Sequence, residues 1–389
     1  MLYRPDDFEP VTERWDEDRV RAAIARIVAD VDEAYRKQPL WPPPADTPVA
    51  PGRPEPSLFA GAPGLAWALD ALRRRGHAMT TLDPAAVALE ALAAWREEPV
   101  VFPGFDDLPQ RESSLLVGET GVLLVAWMLT GQAELADDLH ERVRANIDAD
   151  EIDELMWGTA GTLLAARVLL DRTGEERWQR ACDDSAEALL ARRDSERLWV
   201  QRRFKETRSL GPVHGYVGNV HALLTTLAGE QAERLRREAN DTLAHFAVRE
   251  DSLCNWPPSA GDGLEHHRTG EIRVQWCHGA PGIVATTAPY LDEELLLAGA
   301  ELTWRAGAHR EQKGAGICHG TAGNGYALLA TFERTGDEQW LDRARRFAVH
   351  ALAQSEREPP VYALWIGAIG SALFASDCLD ARFRYPFLG

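Results

Sequence analysis

The chain has 389 residues, 45% of them hydrophobic, and a formal net charge of −19 at pH 7. The apolar content suits a globular protein with a substantial core, and the acidity argues against nucleic-acid and anionic-membrane partners. No signal peptide, targeting motif or bilayer-length apolar run stands out, and five cysteines fit a reducing cytoplasmic setting better than a disulfide framework.

Residues 15–35 read as an amphipathic helix, with Val20, Ile24, Ile27, Val28 and Val31 at three-to-four spacing. Asp16, Glu17 and Asp18 crowd its start, where the helix dipole favours them. Residues 39–57 are rich in proline and poor in apolar periodicity, which predicts a loop. Beyond it a Gly-x-x-Gly frame recurs at Gly61/Gly64, Gly118/Gly121, Gly158/Gly161, Gly215/Gly218, Gly279/Gly282, Gly320/Gly323 and Gly367/Gly370. Each copy leads into an apolar run, as in Leu65-Ala66-Trp67-Ala68-Leu69 and Thr162-Leu163-Leu164-Ala165-Ala166. The copies are 40 to 64 residues apart, which is a degenerate repeat. Paired glycines before a helix allow tight turns and close backbone approach, and leave N–H groups of the first turn free. Residues 332–353 repeat the amphipathic pattern after Thr335-Gly336, with Trp340, Leu341, Ala344 and Phe347 facing inward. Alternating runs long enough for a sheet are missing, and residues 254–273 form a second irregular stretch. Seven glycine-led helices, each preceded by another, predict an all-α fold: an α/α toroid, a double ring of seven inner and seven outer helices. Repeats from Gly61 to Gly370 argue for a single domain over residues 1–389.

Two copies of the frame carry chemistry. Trp276-Cys277-His278-Gly279-Ala280-Pro281-Gly282 and Cys318-His319-Gly320-Thr321-Ala322-Gly323 place thiols in matched settings 41 residues apart. Zn²⁺ takes thiolate and imidazole, and a three-ligand site keeps a fourth position open for chemistry. Cys277, Cys318 and His319 supply such a set, whose alternative is a structural metal or inert buried residues. His214 stands before the fourth repeat as Cys277 and His319 stand before theirs. Equivalent positions of a toroid converge, so His214 is a candidate proton donor, with a satisfied core histidine as the alternative. Cys182, Cys254 and Cys378 lack the frame and read as small hydrophobes, while His221, His245, His266, His267 and His350 read as surface or core residues.

These motifs, with Asn255-Trp256-Pro257-Pro258, Gln275 before Trp276, and Lys313-Gly314-Ala315-Gly316-Ile317 before Cys318, give the chain a resemblance. It resembles the lanthionine synthetase C family, and its LanC-like branch in particular, from Phe59 to Gly370. The resemblance implies the α/α toroid and a zinc held by Cys277, Cys318 and His319. It also implies an acid/base role for His214. Arg273 matches an active-site arginine of the peptide cyclases, suited to stabilising an enolate oxygen by charge; a solvated loop charge is the alternative. Glu154 stands where the cyclases have an aspartate, which makes it a candidate catalytic base; a helix-start carboxylate is the alternative. His278 would line the site without binding metal. Lys313 and Arg4 match residues of the branch that bind glutathione, and Arg357 is a third candidate cation for its carboxylates.

The chemistry implied is addition of a thiol to the β-carbon of dehydroalanine or dehydrobutyrine, forming a thioether. Either glutathione supplies the thiol to a modified peptide or protein, or a dehydrated precursor peptide supplies its own cysteine and closes lanthionine rings. A zinc-stabilised binding scaffold without turnover is the reading from another class. A prenyltransferase-like toroid fits less well, for lack of its aspartate ligand. A monomer satisfies all of these.

Overall fold

The paired glycines sit where helices begin. The structure, a computed structural model, describes residues 1–45, 49, 53–102, 104–149, 151–202, 206–266, 269–310 and 313–387. His267 and part of the 39–57 loop lie outside the described residues. Among those described, the first seven helices are α1 (Glu17–Lys37), α2 (Ala62–Arg74), α3 (Pro84–Glu97), α4 (Glu119–Thr130), α5 (Ala133–Ile147), α6 (Thr159–Thr173) and α7 (Glu176–Ala191). They are followed by α8 (Tyr216–Leu224), α9 (Gly229–Phe246), α10 (Ala280–Thr287), α11 (Glu293–Ala306), α12 (Thr321–Thr335), α13 (Glu338–Arg357) and α14 (Ala368–Leu379). None is long and apolar enough to cross a membrane.

Every even-numbered helix has the first glycine of a pair as its N-cap: Gly61, Gly118, Gly158, Gly215, Gly279, Gly320 and Gly367. These helices are buried nearly all round; every residue of α10 is buried. The odd-numbered helices bury one stripe and expose the other. In α1 the stripe is the expected one, Val20, Ile24, Ile27, Val28 and Val31. Aspartates cap three of them, with the Asp83, Asp292 and Asp337 side chains accepting from first-turn N–H groups. The second glycine of each pair serves packing. A Cβ on Gly282 would lie 1.7 Å from the Trp276 carbonyl oxygen, and one on Gly323 would lie 1.9 Å from that of Ile317. Only glycine lets the preceding loop fold back onto these helices.

The chain divides into two compact units. One consists of Ala25–Glu206 and Val361–Trp365, and contains α2 to α7 with most of α1. Within it Asp32, buried on α1, accepts from the Thr80 hydroxyl and the Thr81 N–H, both at 2.6 Å. The other consists of Met1–Ile24, Thr207–Pro360 and Ile366–Gly389, and contains α8 to α14.

The second unit also holds two small antiparallel sheets that the sequence does not announce. β1 (Phe8–Glu9) pairs with β4 (Ala308–His309), and β2 (Val248–Glu250) with β3 (Leu253–Asn255). Strands of two or three residues are too short to leave a period in the sequence. The stretch 254–273 therefore begins as a strand edge. Likewise residues 332–353 span two helices: α12 ends at Thr335, Gly336 takes the left-handed cap conformation, and α13 starts at Glu338. Trp340, Leu341, Ala344 and Phe347 are buried as expected.

The first residues are tied along this unit. The Met1 ammonium lies 3.0 Å from Glu250. His350 of α13, itself buried, sits between Glu9 at 2.8 Å and Glu13 at 2.9 Å. Arg346 donates to the carbonyls of Val11 and Glu13, both at 3.2 Å.

Candidate metal centre and adjoining cavity

Cys277 closes the loop before α10, and Cys318 and His319 close the loop before α12. The two loops are laced together: the Cys277 N–H donates to the Cys318 carbonyl at 3.0 Å. The Cys277 and Cys318 sulfurs and a His319 ring nitrogen all lie within 4.8 Å of one another. The Cys277 Sγ to His319 Nδ1 separation is 4.0 Å. A tetrahedral zinc with bonds of about 2.3 Å to sulfur and about 2.0 Å to nitrogen needs donor separations of about 3.5–3.8 Å. Two thiols and an imidazole at this spacing therefore fit zinc with small adjustments. The two thiols share protons unequally. Donation from the Cys318 S–H holds Cys277 well below the usual thiol range despite burial, and Cys318 is pushed well above it.

The loop before α8 packs directly on this centre. A Cβ at Gly211 would lie 2.3 Å from the Cys277 carbonyl oxygen, so glycine allows the contact. Three residues on, the His214 ring stacks on that of His278, with centroids 5.4 Å apart and planes at 22°. Burial pushes His278 down to about 4, against the opposing charge of Cys277 and with smaller help from His214 and Arg273, so its imidazole is neutral at pH 7.

Asn255 organises the surroundings from within the core. Its Nδ2 donates to the Leu2 carbonyl at 2.9 Å and the Arg273 carbonyl at 3.2 Å. Its Oδ1 accepts from the Trp256 N–H at 2.9 Å and the Ala280 N–H at 2.8 Å, the latter in the first turn of α10. The Asn-Trp-Pro-Pro motif thus has a structural purpose: one buried amide joins the N-terminal segment, the loop before Cys277 and the helix after it. Asn255→Ala leaves these groups without partners and should destabilise the protein by about 3 kcal/mol, read by urea denaturation.

Beside the centre lies a cavity of about 360 Å³. Arg4, Arg310 and Lys313 supply its cations, Glu271 and Asp7 its carboxylates, and Gln275 is part of its wall. The Lys313 ammonium is 2.6 Å from Glu271, whose other oxygen lies 3.8 Å from Arg273 Nε. Burial raises the Glu271 pKa, but Lys313 and Arg273 outweigh it and hold the carboxyl below its usual range. Arg4 lies 3.7 Å from Glu265.

The structure therefore gathers Cys277, Cys318, His319, His278 and His214 in one place, with Arg273, Lys313 and Arg4 in its surroundings. Arg357 lines a different cavity, of about 730 Å³, and lies 3.8 Å from Glu9. Glu154 belongs to the first unit, where its buried carboxylate accepts the Trp157 N–H in the turn before α6. The sequence alone does not point to Glu271, Gln275, His309 and Arg310 as residues of this site. Gln275 was visible within its motif; the alternation of Glu271 with Arg273 in a loop before the cysteine was the only local hint of the others.

An all-α chain whose helices start at paired glycines, with a thiol-imidazole cluster at two of those starts, defines a class of protein. A model of the family described as lanthionine synthetase C-like protein matches residues 52–382, and the chain belongs to that family. It is 24% identical to glutathione S-transferase LANCL1 of Danio rerio over 311 residues, 72% of this chain and 74% of that one. It is 29% identical to LanC-like protein GCL1 of Arabidopsis thaliana over 210 residues, 50% of this chain and 46% of that one. Among solved structures nisin cyclase superposes with a TM-score of 0.66 at 15% identity, covering 94% of this chain and 95% of its own. That likeness is one of fold, and the fold class is the expected α/α toroid.

Proposed function

We propose that the protein adds the thiol of glutathione, or of a closely related peptide thiol, to dehydroalanine or dehydrobutyrine in a peptide or protein. The observation that carries this reading is the cation-lined cavity against the thiol-imidazole centre, with Gln275 common to both. A relative named as a glutathione S-transferase supports the choice of thiol.

Cys277, Cys318 and His319 would hold the zinc. When bound by two thiolates and an imidazole, zinc supplies an open position at which a thiol is held deprotonated near neutral pH. Lys313 and Arg4 are suited to bind the carboxylates of the thiol compound by charge-assisted hydrogen bonds, which orients its sulfur. The sulfur then bonds to the β-carbon, the β–α double bond gives its electron pair to the conjugated carbonyl, and an enolate results. Arg273 offers positive charge to the enolate oxygen. His214 delivers a proton to the α-carbon, replacing the one the thiol lost, so the product is thiol plus alkene with nothing released. His278, neutral beside Cys277, stacks on His214 and holds its ring in place.

A zinc-loaded preparation incubated with a dehydroalanine peptide and glutathione should give an adduct by mass spectrometry faster than the uncatalysed addition. A rate equal to that without protein would overturn the reading. Ring closure in a dehydrated peptide bearing its own cysteine, without added thiol, would make the activity that of a cyclase instead. Lys313→Ala should raise KM for glutathione by roughly 10-fold with little change in kcat, since a part-exposed ammonium binds the ground state and the transition state alike.

A further inference from the structure

Both cations offered to the carboxylates of the thiol compound already face a carboxylate of this chain. Arg4 lies 3.7 Å from Glu265, and Lys313 lies 2.6 Å from Glu271. The two acids are held near each other: Glu265 pairs with Ile272 in an antiparallel bridge, and the His266 N–H donates to the Glu271 carbonyl at 2.8 Å. The pairs differ in strength. Arg4 and Glu265 are 44% and 65% exposed, and an ion pair so exposed contributes little. Lys313 and Glu271, at 33% and 26%, are close enough for a charge-assisted hydrogen bond, yet both open onto the cavity. Glu271 also has a second cation beside it. Its other oxygen stands 3.8 Å from Arg273 Nε, beyond hydrogen-bond range, so Lys313 holds the carboxylate at the expense of Arg273. A ligand carboxylate that pairs with Lys313 takes the place of Glu271, and Arg273 then remains within ion-pair distance of the displaced acid.

We propose that Glu271 is a positioning residue that changes partners. It neutralises Lys313 until a carboxylate of the thiol compound takes Lys313, and it then closes on Arg273 and fixes that guanidinium for the enolate. Closure from 3.8 Å to a charge-assisted bond of about 2.8 Å is within the reach of side-chain rotation. A guanidinium held at Nε keeps its Nη groups for a second oxygen. The inference rests on the proposed thiol addition and gives it an order: the thiol compound binds first, and its binding readies the arginine that acts on the electrophile.

The test uses full-length Glu271→Gln, which keeps the shape and removes the charge, alone and combined with Lys313→Ala. Thermal melting establishes folding. Binding of S-methylglutathione, which has both carboxylates and no thiol, is measured by calorimetry. Glu271→Gln should bind it roughly 3-fold more tightly than the wild type, because the competing carboxylate is gone. In the Lys313→Ala background the same substitution should gain little, whereas a general charge effect would persist there. The guanidinium is read directly by nitrogen NMR, with the Arg273 Nε signal assigned through Arg273→Lys. That signal should move when S-methylglutathione is added to the wild type and stay in place in Glu271→Gln. With saturating glutathione, adduct formation on a dehydroalanine peptide should fall roughly 10-fold in Glu271→Gln, since Arg273 loses the group that fixes it. Unchanged or weaker binding by Glu271→Gln, an equal gain in both backgrounds, or an Arg273 signal indifferent to the ligand overturns the proposal. Binding and NMR are equilibrium readouts, so a wild type that forms no adduct would sink the proposed reaction while the change of partners is still decided.

Discussion

Cys318→Ala should reduce bound zinc from about one equivalent to a small fraction, and lower thioether formation by on the order of 10³-fold. The size follows from the several kcal/mol that a metal contributes to holding developing negative charge. Two features make Cys318 the decisive position. Its sulfur is one of three donors within 4.8 Å of one another, and its carbonyl receives the Cys277 N–H, so the backbone frame survives removal of the sulfur. Metal content by atomic emission and adduct formation by mass spectrometry check the result together. A variant that stays active with no zinc bound would remove the metal from the reaction. A variant that keeps zinc would mean that another donor replaces Cys318.

His214→Asn should separate the proton from the metal. Zinc content is expected to stay at the wild-type level, because the donors are elsewhere, while turnover falls by roughly 10²- to 10⁴-fold, the usual contribution of a general acid. Solvent deuterium carried to the α-carbon reports the same step. Unchanged turnover in a folded variant would assign the proton to water or to another group.

How much of this was written in the sequence depends on how local each signal is. The even-numbered helices were legible because a glycine pair and an apolar run follow each other directly, and each first glycine is indeed an N-cap. The thiol-imidazole cluster is legible for the same reason, Cys277 and Cys318 occupying equivalent places in that frame. The break at Gly336 was less clear, since amphipathic periodicity continues across it. Glu271, His309 and Arg310 escaped notice because their place in the cavity depends on tertiary packing of a loop, a two-residue strand and the residue after it. Arg4 was reached only by resemblance, since no local pattern links the first residues to a cavity beside Cys277. Asn255 could be read as part of a motif, but its four partners come from separate stretches of chain, which no spacing reveals.

The pairing of Phe8 with His309 also has a consequence for how the molecule is made. The unit that holds Cys277 and Cys318 draws on Met1–Ile24, Thr207–Pro360 and Ile366–Gly389, whereas the other is nearly continuous over Ala25–Glu206. During synthesis the continuous unit has its residues in hand first, and the strand Phe8–Glu9 must wait for a partner some three hundred residues downstream. Contacts of such sequence separation form late, because a long loop must close before they give anything back. Arg4 is carried by that waiting segment, so the cavity it lines is completed late in folding, and a ligand that needs Arg4 stabilises only the finished molecule.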